Sequence, residues 1–223
     1  MGGSKDLETS RCERTVAAEG LGRGWYKRPF DLAVLLLAHL FLPLIPVWLL
    51  LWTLIPLLVW LEDRGPIFYR QRRVGKEGRV FTILKFRTMV VDAETATGPV
   101  WASNGDFRIT RVGRLLRRTA LDELPQVINI LKGDMSFVGP RSERPELHEE
   151  FVKELPAFQK RLRVRPGLTG LAQVNGDYNL PPGEKLKYDL DYIAGMSLSL
   201  DIKLMLISVR STLLARWDRR SAK

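Results

Sequence analysis

Cysteine and histidine are almost missing from this chain of 223 residues, which holds one of the first and two of the second. One cysteine excludes an internal disulfide and any thiolate metal cluster, and Cys12, far forward in the chain, is assigned no role. His39 and His148 are isolated, so no imidazole ligand set for zinc is present. The chain also lacks a GxxxxGK[ST] loop and a GxGxxG following a strand, which excludes Walker and Rossmann nucleotide sites. It has no internal repeat and no low-complexity tract. Acidic residues are outnumbered, 25 against 35 basic, for a net charge of +10. No helix-turn-helix, zinc finger or interleaved aromatic–basic pattern directs that charge to nucleic acid. Anionic lipid head groups and phosphorylated substrates are the expected partners instead.

The largest absence is of charge itself. Pro29 to Leu61 is a run of 33 residues in which only Asp31 and His39 are ionisable. As one straight helix the run would reach roughly 50 Å, beyond a hydrocarbon core of about 30 Å. As two full spans it is too short, since each needs about 20 residues. It is also too long for a signal-peptide core, so it reads as retained. Pro43, Pro46 and Pro56 interrupt it, and basic residues flank it on both sides: Arg23, Lys27 and Arg28 before, Arg64, Arg70, Arg72 and Arg73 after. Matching flanks predict that both ends stay on the cytoplasmic side. The run therefore reads as a helix–break–helix that enters one leaflet and returns, with the break at Pro43, or next at Pro46. Trp25, Tyr26, Lys27 and Arg28 suit the head-group level, and Asp31, one turn from Lys27 and Arg28, is expected to form a salt bridge with them.

The chain divides into a tail (1–24), the membrane segment (25–62) and a cytosolic domain (63–223). The expected fold is α+β and mostly helical. Ile67–Tyr69 and Val80–Leu84 flank Gly75-Lys76-Glu77-Gly78 as a hairpin, with Lys85 to Met89 continuing the second strand. From Val112 to Leu131 apolar residues recur at helical spacing, and Gly133 is the expected cap. Residues 145–163 read as an amphipathic helix kinked at Pro156, and Glu184–Ala194 as another. Leu200–Trp217 places Ile202, Met205, Leu206, Val209, Leu213 and Trp217 on one face, either packed on the core or lying in the membrane interface.

Thr119-Ala120-Leu121-Asp122-Glu123-Leu124-Pro125-Gln126 sets two adjacent carboxylates after Arg111, Arg114, Arg117 and Arg118. One reading is structural: Thr119 and Asp122 form a helix cap. The other is functional: a helix N-terminus and arginines keep Asp122 ionised as a nucleophile or metal ligand. Further on, Gly139-Pro140-Arg141 describes a turn presenting a guanidinium to a phosphate.

Six blocks together resemble the bacterial sugar transferase family, the monotopic phosphoglycosyl transferases. They are Lys27-Arg28-x-x-Asp31, Lys85-Phe86-Arg87-Thr88-Met89, Leu121 to Gln126, Lys132 to Arg141, Arg163 to Gly170, and Tyr188-Asp189-Leu190-Asp191-Tyr192, in the family's order. The resemblance implies transfer of a sugar-1-phosphate from a UDP-sugar to polyprenyl (undecaprenyl) phosphate, with UMP released, at the first membrane step of glycoconjugate or exopolysaccharide synthesis. It implies Mg2+, Asp122 as the nucleophile forming an aspartyl–phosphosugar, and Glu123 either deprotonating the lipid phosphate or positioning the metal. It places Arg117, Pro140, Arg141, Lys85 and Arg87 at the substrate, and Lys27, Arg28, Asp31 and Pro43 at the membrane anchor and its break. Location at the bacterial inner membrane, with the catalytic domain facing the cytoplasm, follows from the same resemblance. Two departures stand out: Leu42-Pro43 replaces the family's Ser-Pro at the break, and Pro140-Arg141-Ser142 replaces Pro-Arg-Pro. The competing functions are a polyprenyl-phosphate glycosyltransferase releasing UDP, with Asp189-Leu190-Asp191 as its metal motif, and a non-catalytic membrane-tethered assembly factor. Sugar specificity is expected in 92–107 and 175–184; no oligomeric state is specified.

Overall fold

A computed structural model describes residues 23–93, 106–176, 180–215 and 217. Cys12, nearly all of the 1–24 tail, most of 92–107 and part of 175–184 lie outside the described residues.

The apolar run folds as two helices, α1 (Lys27–Leu40) and α2 (Ile45–Asp63). Between them Phe41 is extended (φ −68°, ψ 109°) and Leu42–Leu44 forms one 3-10 turn, with Pro43 at its centre. Pro46 falls in the first turn of α2, where a missing N–H costs nothing. Across the break the His39 ring stacks on Trp48 at 4.3 Å. By length and composition α2 is the one described helix long and apolar enough to cross a membrane.

Both ends of the helix pair are fastened to the same globular body. At the start, the Lys27 ammonium donates to Val138 O (2.7 Å) and pairs with Asp201 (2.8 Å), while Arg28 donates to the carbonyls of Ile130 and Leu131. At the far end, Glu62 accepts from the backbone N–H of Arg111 (2.6 Å) and Val112 (3.0 Å), and Asp63 clamps the Arg87 guanidinium. This corrects the expected salt bridge of Asp31 with Lys27 and Arg28. Asp31 is fully buried and accepts from Ser136 Oγ (3.0 Å) and Phe137 N–H (3.1 Å). Lys27 instead reaches a carboxylate 174 positions away, while the Arg28 guanidinium, bonded to the Leu131 carbonyl, stays partly exposed.

The hairpin forms as its turn residues predict: β1 (Phe68–Val74) runs antiparallel to β2 (Val80–Phe86), pairing Phe68 with Phe86 and Val74 with Val80. Beyond Phe86 the strand ends, and Met89 only bridges Ile109. The continuous helix expected from Val112 to Leu131 is broken. α3 (Arg111–Thr119) stops at Ala120, which takes a left-handed φ of 54°; Leu121–Gln126 is a 3-10 stretch; α4 (Val127–Lys132) ends at Gly133, φ 89°. Pro125 has no N–H to give to the carbonyl four residues back, which disfavours a continued α-helix there, although the expected interruption at Pro56 does not occur and α2 continues through it. Thr119 Oγ bonds back to the carbonyls of Leu115 and Leu116, so the Thr119–Asp122 cap does not form.

Next come β3 (Ser136–Val138), which pairs in parallel with β4 (Gly167–Thr169), and between them α5 (Pro145–Glu154). Pro156 ends α5 rather than kinking it, and Pro156–Arg163 is 3-10. α6 (Leu171–Asn175), α7 (Pro182–Gly195) and α8 (Leu198–Leu213) follow. The apolar core is continuous with the helix pair: Leu35 packs with Ile83 and Ile130, and Ile55 and Val59 pack with Phe86 and Leu116. α8 turns Asp201, Leu204 and Ser211 inward, so Ile202, Leu206, Val209 and Leu213 are exposed. Their face does not pack on the core, because the partner required by Lys27 sits on the opposite side. Trp217 lies beyond the helix, its Nε1 donating to Thr212 Oγ (2.9 Å).

Candidate active site

Ala120 ends α3 with a reversal, and the 3-10 stretch that follows sets Asp122 and Glu123 against β2. Both carboxylates are at the floor of an open cleft of about 1370 Å³. Lys85 on β2 donates to Glu123 Oε1 (2.5 Å) and stands 3.9 Å from Asp122. Arg141, which follows β3, donates to the same Glu123 oxygen (2.9 Å). Arg117 of α3 lines the cleft with its Nε bonded to Thr88 Oγ (2.9 Å). So Asp122, Glu123, Lys85, Arg117 and Arg141 are brought together as the sequence predicts.

The turn before Arg141 is set by close backbone approach. A Cβ on Gly139 would meet Arg165 O at 2.4 Å, and the Pro140 carbonyl accepts from Gly167 N–H (2.9 Å). Pro140 therefore shapes the turn from behind. Arg87 also lines the cleft, but its guanidinium is held by Asp63 and donates through Nε to Pro66 O (2.5 Å), so it ties α2 to the end of β2. Lys27, Arg28, Asp31 and Pro43 belong to the helix pair, not to this cleft. Asp189 is buried and ion-paired to Arg161 at 2.7 Å, whereas Asp191 is exposed, which makes Asp189-Leu190-Asp191 part of the fold rather than a metal motif.

The two acidic side chains have opposite electrostatic fates. Burial raises Asp122, and Glu123's charge adds to this, against the pull of Lys85, Arg117 and Arg141. Burial also opposes the charge of Glu123, but Arg141 and Lys85 together hold it well below the usual carboxylate range. This corrects the expectation that a helix N-terminus and arginines favour the Asp122 carboxylate. No α-helix begins there, and the cations are spent largely on Glu123. The result is one fixed anion beside a more basic carboxylate, which is the better nucleophile of the two. Asp122 accepts no hydrogen bond among the described residues, and Glu123 Oε2 is likewise unused. Such a pair of hard oxygens suits Mg2+, which takes one or two carboxylates and completes its shell with water and phosphate. No cluster of three acidic, His or Cys side chains occurs among the described residues, so an all-protein metal cage is not on offer there.

Sequence reading missed a second group on the cleft wall. Tyr69, Gln71 and Arg73 alternate along β1, on the face that carries Lys85 from the paired strand. Arg73 donates to Gln71 Oε1 (2.5 Å) and Ser142 O (2.9 Å), and Gln71 donates on to the Tyr69 hydroxyl (2.9 Å). Burial, then the nearby Arg141 and Arg144, lower Arg73 to about 10, with Glu143 opposing. As a basic flank of the apolar run Arg73 is indistinguishable from Arg70 and Arg72; the period-two alternation with Tyr69 and Gln71 is the signal that places it on the cleft wall.

The chain matches the family model described as bacterial sugar transferase over residues 22–215. It is 39% identical over 190 residues to a UDP-N-acetylgalactosamine-undecaprenyl-phosphate N-acetylgalactosaminephosphotransferase of Aeromonas hydrophila, covering 84% of this chain and 43% of that protein. It is 42% identical over 196 residues to a UDP-glucose:undecaprenyl-phosphate glucose-1-phosphate transferase of Caulobacter vibrioides, covering 84% and 69%. A third relative, a putative undecaprenyl-phosphate N-acetylgalactosaminyl 1-phosphate transferase of Bacillus subtilis, is 49% identical over 123 residues, covering 53% and 68%. The chain thus spans less than half the length of the Aeromonas protein, and its match covers only 32–34% of three further UDP-glucose:undecaprenyl-phosphate glucose-1-phosphate transferases.

Proposed function

The chain belongs to the bacterial sugar transferase family, and from that premise we propose that it is a phosphoglycosyl transferase moving a sugar-1-phosphate from a UDP-sugar to polyprenyl phosphate. The observation that carries this reading is the buried Asp122 beside the partly buried Glu123 in a cleft walled by Lys85, Arg117 and Arg141. A raised, unbonded carboxylate beside a cation-held one supplies a nucleophile next to fixed positive charge. A transferred phosphoryl group needs both.

In the first displacement an Asp122 carboxylate oxygen forms a bond to the sugar-proximal phosphorus. The bond from that phosphorus to the bridging oxygen breaks, and its electron pair leaves with UMP. In the second, an oxygen of the lipid phosphate attacks the same phosphorus and the Asp122 carboxylate is restored. Glu123 holds Lys85 and Arg141 in place, and Glu123 and Asp122 are the residues that would hold Mg2+. When bound, Mg2+ neutralises phosphate charge and polarises the phosphoryl oxygens. Arg117 and Arg141 take the remaining charge of the diphosphate.

A double displacement lets a soluble and a lipid substrate use one site in turn. It also asks that the site lie at the membrane surface. The helix pair supports such a placement, entering and returning through one leaflet of the inner membrane with the catalytic domain in the cytoplasm. The exposed apolar face of α8 suits the interface beside it.

The test is turnover with a panel of UDP-sugars, undecaprenyl phosphate and Mg2+, reading the nucleotide released. UMP is expected from the wild type. The Asp122→Asn variant is expected to lose at least about a thousandfold in rate while keeping its thermal midpoint. UDP as the product would instead indicate a glycosyltransferase. Near-normal UMP release from Asp122→Asn would remove the nucleophile assignment.

A further inference from the structure

The reaction creates a new charge away from Asp122. As the bond to the bridging oxygen breaks, the nucleoside monophosphate gains a negative charge on its phosphate, opposite the attacking carboxylate if attack is in line. Lys85 and Arg141 already share one oxygen of Glu123, so much of their charge is answered before substrate arrives. Arg73 differs. Among the described residues it forms no ion pair, and Glu143, whose charge acts on it, accepts from Lys185 (2.9 Å) and sits 3.8 Å from Arg161. Its Nε is buried without a hydrogen-bond partner. Its plane is nevertheless fixed, with one terminal nitrogen on Ser142 O and the other on Gln71.

We infer that Arg73, held by Gln71 and Ser142, forms with Arg141 the subsite that grips the phosphate of the departing nucleoside monophosphate; this rests on the function proposed above. A guanidinium pinned by two bonds loses little further freedom on meeting a phosphate, and its fork geometry matches phosphate oxygens. The arginines crowded there repel one another, and burial makes the charge dearer still. A phosphomonoester dianion relieves both strains, whereas the sugar-linked diphosphate, with one charge per phosphate, relieves them less. The subsite therefore favours the cleaved state over the intact one, which is the condition for promoting the first displacement. Gln71 is a positioning residue: its amide bridges Arg73 and the Tyr69 hydroxyl, so it sets the guanidinium without touching the phosphate.

The experiment uses the full chain in lipid nanodiscs, with UMP as the calorimetric probe and steady-state turnover alongside. Arg73→Gln is expected to weaken UMP by about tenfold or more and to raise KM for the UDP-sugar. KM for undecaprenyl phosphate, which enters after UMP has gone, should not change. Gln71→Leu should shift the same two quantities in the same direction by less. A purely structural Arg73 would instead lower the thermal midpoint and impair both substrates alike. UMP affinity within twofold of wild type in Arg73→Gln, or equal damage to both KM values, would overturn the subsite. A wild-type protein that turns over but releases no UMP would overturn the function it rests on as well.

Discussion

Ala120 adopts φ 54°, a conformation that costs an L-residue roughly 1–2 kcal/mol. That reversal ends α3 and starts the 3-10 stretch on which Asp122 and Glu123 stand, so the cost is borne by the backbone immediately before the carboxylate pair. Ala120→Gly is expected to raise stability by about 0.5–1 kcal/mol with activity kept. Ala120→Val should lower both, as read by thermal unfolding and UMP release. The reversal is hard to read locally, because Val112, Leu115 and Leu116 before it and Leu121, Leu124 and Val127 after it are each at helical spacing, and only the five-residue step between Leu116 and Leu121 breaks the pattern. Periodicity reports which side chains face the core, not the φ of the residue between them. Pro125 was the readable warning. Glu143 gives a second prediction at this scale. Burial opposes its charge, yet Lys185 and Arg161 hold it below the usual value of 4.5. Its contribution is therefore present above that pH and is lost as pH falls through the lowered value. Glu143→Gln should be less stable than wild type at neutral pH, and the difference should shrink on acidification below 4.5 in denaturation midpoints.

The elements are held in place by pairings between distant parts of the chain, which explains what could and could not be read beforehand. The β1–β2 hairpin was legible because Gly75 to Gly78 sits between two β-type runs and sets its own register. The cap at Gly133 and helix α7 were legible for equally local reasons. The seating of α1 was not, since Lys27 is fixed by Asp201 and Asp31 by β3. The same pairing rotates α8 so that its apolar stripe faces outward. Asp201 has no exposed surface, and it also accepts from the hydroxyls of Tyr26 and Tyr192. Asp201→Asn would leave Lys27 buried without a counter-charge, and removing one partner of a buried pair costs about 3–5 kcal/mol. The expected result is that loss in denaturant unfolding, with α1 released from α8 and protease cutting near Trp25. A loss under about 1 kcal/mol would mean that the carbonyl of Val138 and the Tyr192 hydroxyl suffice for Lys27.

For the whole molecule the decisive relation is between the length of the helix pair and where its ends are fastened. α2 has 19 residues, enough for about 28 Å, and α1 has 14, about 21 Å. If α2 crossed a core of about 30 Å with Glu62 and Asp63 on one side, its start and all of α1 would be carried to the middle or the far side. Lys27 would then lose Asp201 and Val138, and Asp31 would lose Ser136, leaving a buried lysine and a carboxylate unpaired in lipid. Turning at Pro43 keeps every one of these bonds. The prediction is that both flanks face the same compartment. In a Cys12→Ser background, Trp25→Cys and Glu77→Cys place single thiols at exposed positions on either side of the run. A membrane-impermeant maleimide should label both in inside-out vesicles and neither in right-side-out ones. Labelling of the two from opposite faces would show that α2 spans, and Asp122 would then need another way to meet a lipid phosphate.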